Sequence, residues 1–228
     1  MSDSGGESKR YFAEVAGRWD DLRSGYFTEE MRDDAIVRAG LRPDAVVADI
    51  GTGTGFVARS LAPLVRKVYG IDESPEMLAV ARRNLAPFPN IEWITAPGQT
   101  LPLPDGSLDA VFANMYLHHV PNPPAAIAEM ARVLKPGGIL VITDADEHDQ
   151  AWMREAMADR WLGFKRSDIQ AWCEKAGLTD VSVDCAKGRC CPRTENGQRL
   201  SLGIFVAVGT KPGQGSKNPK ERRTCCES

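Results

Sequence analysis

Five short apolar runs punctuate the first two thirds of the chain: Val46–Ile50, Lys67–Asp72, Ile91–Thr95, Ala110–Asn114 and Ile139–Thr143. Each is strand-length and rich in β-branched or aromatic residues, as strands buried on both faces require. Helical periodicity lies between most of them: from Phe56 to Ala62, from Pro75 to about Leu85, and over Pro124–Leu134. Ser74 with Pro75 is a start signal, an N-cap followed by proline in the first turn. This alternation predicts an α/β protein with a doubly wound, mainly parallel sheet.

The flanks read differently. Residues 1–9 are polar and predict a disordered start; from Arg10 to Trp19, Tyr11, Val15 and Trp19 recur at four-residue spacing, as on one helix face. Thr28 caps a second helix that Gly40 closes. After the fifth strand the pattern predicts a helix over 149–161 and another over 167–176, capped by Ser167 and stopped by Gly177. Val181–Asp184 and Leu202–Gly209 then form a hairpin that adds an antiparallel edge strand, for seven strands in all.

The first strand runs straight into Gly51-Thr52-Gly53-Thr54-Gly55 and a helix N-terminus, the usual seat of a nucleotide-like ligand in an open α/β sheet. A dinucleotide fingerprint needs glycine where Phe56 stands. Asp49 would repel a pyrophosphate and attract a cation, and S-adenosylmethionine (SAM) carries a sulfonium and an ammonium. Asp72, twenty-one residues after Gly51, ends the second strand where a carboxylate can accept from ribose hydroxyls. D-x-G-x-G-x-G followed by this acidic residue resembles the class I SAM-dependent methyltransferases.

That resemblance implies a Rossmann-like seven-stranded sheet and a division into three parts. Residues 1–40 would hold the disordered start and lid helices, with Tyr11, Trp19 and Tyr26 as wall candidates. Residues 41–211 would be the catalytic domain and 212–228 a flexible tail. Asp49, Gly51, Thr52, Gly53 and Gly55 would position the methionine end, Asp72 the ribose, and Met77 would pack near the adenine. The stretch Ala96–Asp109 resembles the family's loop G-D-A-E-x-L-P-F-P-D-x-S-F-D, with Pro97 where the family has its adenine-binding Asp. Proline offers neither acceptor side chain nor backbone N–H, so the adenine contact falls to Gly98 and Gln99. Asn114 and Met115, at the end of the fourth strand, would lie near the transferred methyl.

Composition narrows the acceptor. A net charge of −3 with 26% charged residues lacks the basic stripe of a nucleic-acid or membrane binder. With no apolar leader visible at the start, a cytoplasmic protein is expected. Its partner would be a small-molecule substrate. The three histidines are His118, His119 and His148, and His119 is a possible base. Asp144-x-Asp146-x-His148 has donors for a hard metal, but acids at a helix start also complement its dipole, the preferred reading.

Six cysteines lie at 173, 185, 190, 191, 225 and 226, all in the C-terminal third. Cys185, Cys190 and Cys191, beside Lys187 and Arg189, suit a soft trivalent centre, so the chain resembles the arsenite methyltransferase-like branch. There arsenic(III), held by the three thiolates, would be the substrate, and a thiol reductant such as thioredoxin or glutathione a partner. The branch's cysteine at the end of the fourth strand is replaced here by Met115. The alternatives are an O-, N- or C-methyltransferase on a small organic molecule, of the quinone-biosynthesis type, and a SAM-binding regulator without catalysis.

Overall fold

The computed structural model describes residues 4–23, 27–187 and 201–213, with side chains from Arg10 onward. The strands are β1 (Val46–Ile50), β2 (Lys67–Asp72), β3 (Ile91–Thr95), β4 (Leu108–Asn114), β5 (Leu134–Ala145), β6 (Thr179–Cys185) and β7 (Ile204–Thr210). They form one sheet in the order β3-β2-β1-β4-β5-β7-β6. β7 runs antiparallel to both β5 and β6, and the β1–β5 pairings are parallel. Strand order reverses direction between β1 and β4, the switch point where an open sheet leaves a crevice beyond the strands' C-terminal ends.

The eight helices described are α1 (Ser4–Val15), α2 (Trp19–Arg23), α3 (Glu29–Arg38), α4 (Phe56–Leu61), α5 (Pro75–Asn84), α6 (Pro123–Val133), α7 (Met153–Ala156) and α8 (Arg166–Lys175). They cover both faces of the sheet, so every residue of β1 is buried. One core holds Ile50, Leu108, Ile127 and Phe205; the other holds Val47, Leu61, Phe112 and Val206. Each such side chain contributes about 1.5–3 kcal/mol by leaving water. The caps work as the sequence predicts at two helices: Thr28 Oγ1 accepts from the Met31 N–H and Ser74 Oγ from the Met77 N–H. Asn122 does the same for α6, and its helix starts one residue early, at Pro123.

Four expectations need correction. The first helix begins at Ser4, so residues 4–9 are helical and not part of a disordered start. The helix over 149–161 shrinks to the single turn of α7. Ala158 takes a positive φ of 56°, and the His118 carbonyl accepts from the N–H groups of both Arg160 and Trp161, which turns the chain back toward β4. α8 begins at Arg166, which leaves Ser167 inside it with no side-chain cap at Lys165. Finally, β5 extends back through the Lys135–Gly138 turn, where the pairing with β4 slips and Gly137 has a φ of 81°.

Candidate active site

The crevice at the switch point is a cavity of about 1190 Å³, open mouth included. Its floor is the glycine loop. Asp49 is buried, and its Oδ2 accepts from Thr52 Oγ1 at 2.6 Å and from the Ala58 N–H at 3.0 Å. It thereby ties the loop to the first turn of α4. Burial pushes this carboxyl up to about 7, against the two hydrogen bonds. Gly51, Gly53 and Gly55 all have positive φ. At Gly51 a Cβ would also stand 2.3 Å from the Tyr116 ring, so neither the dihedral nor the space admits a side chain.

Asp72 sits against this loop. Its Oδ2 accepts from the Gly53 N–H and its Oδ1 from the Ser74 N–H, both at 2.9 Å. Burial raises this carboxyl to about 6, again opposed by backbone donors. Met77, 1% exposed, lines the same wall. Pro97, Gly98 and Gln99 close the other side, and Gln99 Nε2 is buried with no hydrogen-bond partner. Asn114 Oδ1 accepts from Thr143 Oγ1 at 2.6 Å, which leaves its amide N–H groups as the free end. All ten cofactor candidates therefore gather at one end of the sheet, nine of them on the cavity surface and Gly55 at the cap of α4.

These residues fit SAM. Buried Asp49 suits the ammonium and sulfonium of its methionine end, Asp72 can accept from the ribose hydroxyls, and the orphaned Gln99 amide sits in the border expected to meet its adenine. Tyr116 is a residue that sequence reasoning missed: its ring packs under Gly51 and its hydroxyl reaches the Gly98 backbone. Only the missing side chains at those two glycines hinted at it. Met115 lines the cavity with a φ of 50°, a strained conformation for a non-glycine residue.

The far side of the cavity is aromatic. Phe12 and Trp19 line it from the N-terminal helices, which Asp20 pins to the glycine loop by accepting from Thr54 Oγ1 at 2.8 Å, and Phe27 lines it from the segment before α3. Tyr11 lies behind this wall, its hydroxyl on Met157 Sδ, and Tyr26 lies outside the described residues. His119 faces Phe12 edge-on with centroids 4.8 Å apart. Its Nδ1 is 3.3 Å from the Ala158 carbonyl, which can only accept, so Nδ1 carries the proton and Nε2 the lone pair. Burial and the neighbouring His118 hold its pKa well below the ordinary histidine value. For His118, burial opposes the charge, but Asp144 and Asp159 outweigh it and lift the imidazole to about 9. Its Nδ1 meets Asp144 Oδ1 at 2.7 Å.

The sequence motif Asp144-x-Asp146-x-His148 is dispersed. Asp144 takes His118, Asp146 is held by both Nε and Nη2 of Arg166 at 2.7 Å, and His148 Nδ1 accepts from the Gln150 N–H. Cys185 is exposed at the end of β6, where Arg166 Nη1 donates to its Sγ at 3.2 Å, and it does not line the cavity. Cys190 and Cys191 lie outside the described residues. Cys173 is buried and its thiol is pushed up to about 12 by desolvation.

This sheet order, glycine loop and acidic strand end define a class I SAM-dependent methyltransferase domain. Residues 48–142 match the family model described as a methyltransferase domain, so the chain carries such a domain. It is 31% identical over 211 residues to the 2-methyl-6-phytyl-1,4-hydroquinone methyltransferase of Arabidopsis thaliana, covering 88% of this chain and 60% of that one. It is 37% identical over 143 residues to the demethylmenaquinone methyltransferase of Tropheryma whipplei, covering 60% and 59%. The chain spans 50% of the rice 2-methyl-6-phytyl-1,4-hydroquinone methyltransferase 1. Among solved structures, the fold is similar to a Haloferax volcanii complex of the Trm112 activator and a putative methyltransferase. There the TM-score is 0.74 at 21% identity, over 88% of this chain and 97% of that one. A Haemonchus contortus phosphoethanolamine N-methyltransferase 2 solved with S-adenosylhomocysteine gives 0.71 at 18% identity, over 89% and 58%. No described helix is long and apolar enough to cross a membrane.

Proposed function

We propose that the protein methylates a ring carbon of a small aromatic hydroquinone with SAM as donor. The observation that carries this reading is the acceptor wall itself: Phe12, Trp19, Phe27 and Met115 around one neutral imidazole, continuous with the cofactor cradle. Such a wall suits a flat aromatic acceptor with one ionisable edge. The names of the hydroquinone and demethylmenaquinone relatives support it.

The donor supplies an electrophilic methyl group on a good leaving group. What remains for the chain is alignment, exclusion of water and removal of a proton. His119, with its proton on Nδ1 and a depressed pKa, takes the hydroxyl proton at Nε2. The resulting oxyanion pushes electron density to the adjacent ring carbon, which would form the new C–C bond as the methyl–sulfur bond breaks; that carbon's proton then passes to water at the open mouth of the cavity and the ring regains aromaticity. Gln99 and Asn114 amide groups, Asp72 and the glycine-loop backbone hold the donor.

The test is an assay of the purified chain with SAM and a panel of alkyl-substituted hydroquinones, read by mass spectrometry for a product one methyl heavier. Ring methylation of at least one is expected. SAM binding without transfer to any of them, together with methylated arsenic from arsenite and a thiol reductant, would sink this reading. The arsenite reading itself finds one of its three thiols, Cys185, away from the cavity.

A further inference from the structure

Behind the acceptor wall lies a second, smaller cavity of about 490 Å³, open space included, and it shares Trp19, Phe27, Met115 and His119 with the first. His118, His119 and Asp159 meet on its surface, each presenting a ligand atom within 4.8 Å of the others.

Asp159 completes the cluster. Its side chain is 4% exposed, and its Oδ1 stands 3.7 Å from His118 Nε2 and 3.8 Å from Nδ1 of the neutral His119. Both distances exceed a hydrogen bond, so a buried carboxylate faces two imidazole nitrogens without bonding to either. Asp144 is the close ion-pair partner of His118, at 2.7 Å, and Asp159 the more distant one.

The spacing has a different meaning for a cation. Ligands at about 2.1 Å around a tetrahedral metal stand roughly 3.4 Å from one another. The two edges that meet at Asp159, 3.7 and 3.8 Å, are a few tenths of an ångström wider, and the third lies within 4.8 Å. The outer partners also match: Asp144 holds His118 Nδ1 and so turns Nε2 inward, the carboxylate–histidine arrangement that orients metal ligands. Two imidazoles and one carboxylate form a three-ligand set with room for a fourth, non-protein ligand.

We propose that His118 Nε2, His119 Nδ1 and Asp159 Oδ1 bind one divalent cation of the zinc type, with the fourth position toward the cavities. The cation displaces the Nε2 proton of His118 to solvent; at His119 it takes the Nδ1 position, and that ring's one proton moves from Nδ1 to Nε2. Loaded protein therefore lacks the lone pair that accepts the acceptor's proton, so the cation acts as an inhibitor. This consequence for turnover rests on the hydroquinone reading; the binding does not.

The experiment is titration of metal-stripped protein with cobalt(II), followed by zinc(II). One equivalent of cobalt is expected to give the intense visible absorption of a low-coordinate nitrogen–oxygen site, and zinc to displace it. Asp159→Asn is expected to weaken binding at least tenfold with SAM affinity unchanged by calorimetry. His119→Gln, which leaves the His118–Asp144 pair intact, serves as the second variant should the first fail to fold. Absence of the band at tenfold excess, or equal affinity in wild type and a folded variant, overturns the site. If the cation binds but methyl transfer proceeds undiminished, the site stands and His119 loses its role as proton acceptor.

Discussion

The two sides of the cavity are built in opposite ways. On the cofactor side most contacts are local, Asp49 to Thr52 and Ala58 and Asp72 to Ser74, with one from Asp72 back to Gly53 on the neighbouring strand's loop. On the acceptor side they join distant segments: His118 to Asp144, His119 to Ala158, and Trp161 Nε1 to the Val120 carbonyl. A local site is held by turn geometry and survives changes elsewhere. A site assembled from three separate segments depends on the buried charges that tether them, and breaking one of those is expected to cost more.

Asp144→Ala tests this most severely. It leaves the His118 charge buried without its close partner, and losing one member of such a pair costs about 3–5 kcal/mol. Denaturant unfolding of wild type and variant reads it directly, and a change below 1 kcal/mol would mean the two sides are equally robust. The pair also sets a pH dependence. The folded His118 pKa, about 9, lies above the unfolded value, so its stabilisation is complete below about 6.5 and is lost as pH rises through 9. Wild-type melting temperature should therefore fall between pH 7 and 9.5, and Asp144→Ala should flatten that slope.

His119→Gln sharpens the comparison by separating chemistry from binding. The glutamine can still donate near the Ala158 carbonyl but cannot take a proton, and losing a general base costs about 10²-fold or more in turnover. Calorimetry should find SAM affinity unchanged. A variant with full kcat would remove His119 from the reaction. Asp72→Asn makes the converse test, with about a tenfold loss of SAM affinity expected, roughly 1.4 kcal/mol. Because the Asp72 carboxyl protonates at about 6, wild-type affinity should also weaken as pH falls below that value, and the variant should not follow.

The same contrast decides what was legible from sequence. Asp49, the alternating glycines, Asp72 and the capped α5 announce themselves because strand, turn and helix start lie within a few residues. The sheet likewise follows from the alternation of apolar runs, and only the positions of β6 and β7 needed the pairing itself. Asp159 carried no signal, since it lay inside a stretch whose periodicity predicts helix. That helix fails because tertiary bonds to the His118 carbonyl outcompete local propensity. The histidine pair was visible, but the opposite protonation of its members follows from Asp144 and Asp159, 26 and 41 positions downstream of His118.

Cys185→Ser is the mildest of these changes and bears on the choice of acceptor. The residue sits at the C-terminal end of β6, the same end of the sheet as the cavity, but β5 and β7 stand between it and β4. Its one described polar contact is Arg166, which Asp146 already holds through two bonds, so serine should change stability by less than about 0.5 kcal/mol. If the acceptor is a hydroquinone held by aromatic side chains, methyl transfer should be equally indifferent. A thiol-held arsenic acceptor requires the opposite, because removing one of three thiolates opens the coordination shell and should abolish turnover while SAM binding persists. Measuring both acceptors on this one variant therefore tells which face of the molecule the substrate meets: unchanged hydroquinone methylation locates it among Phe12, Trp19 and His119, whereas loss of arsenite methylation alone would move it to the β6 edge.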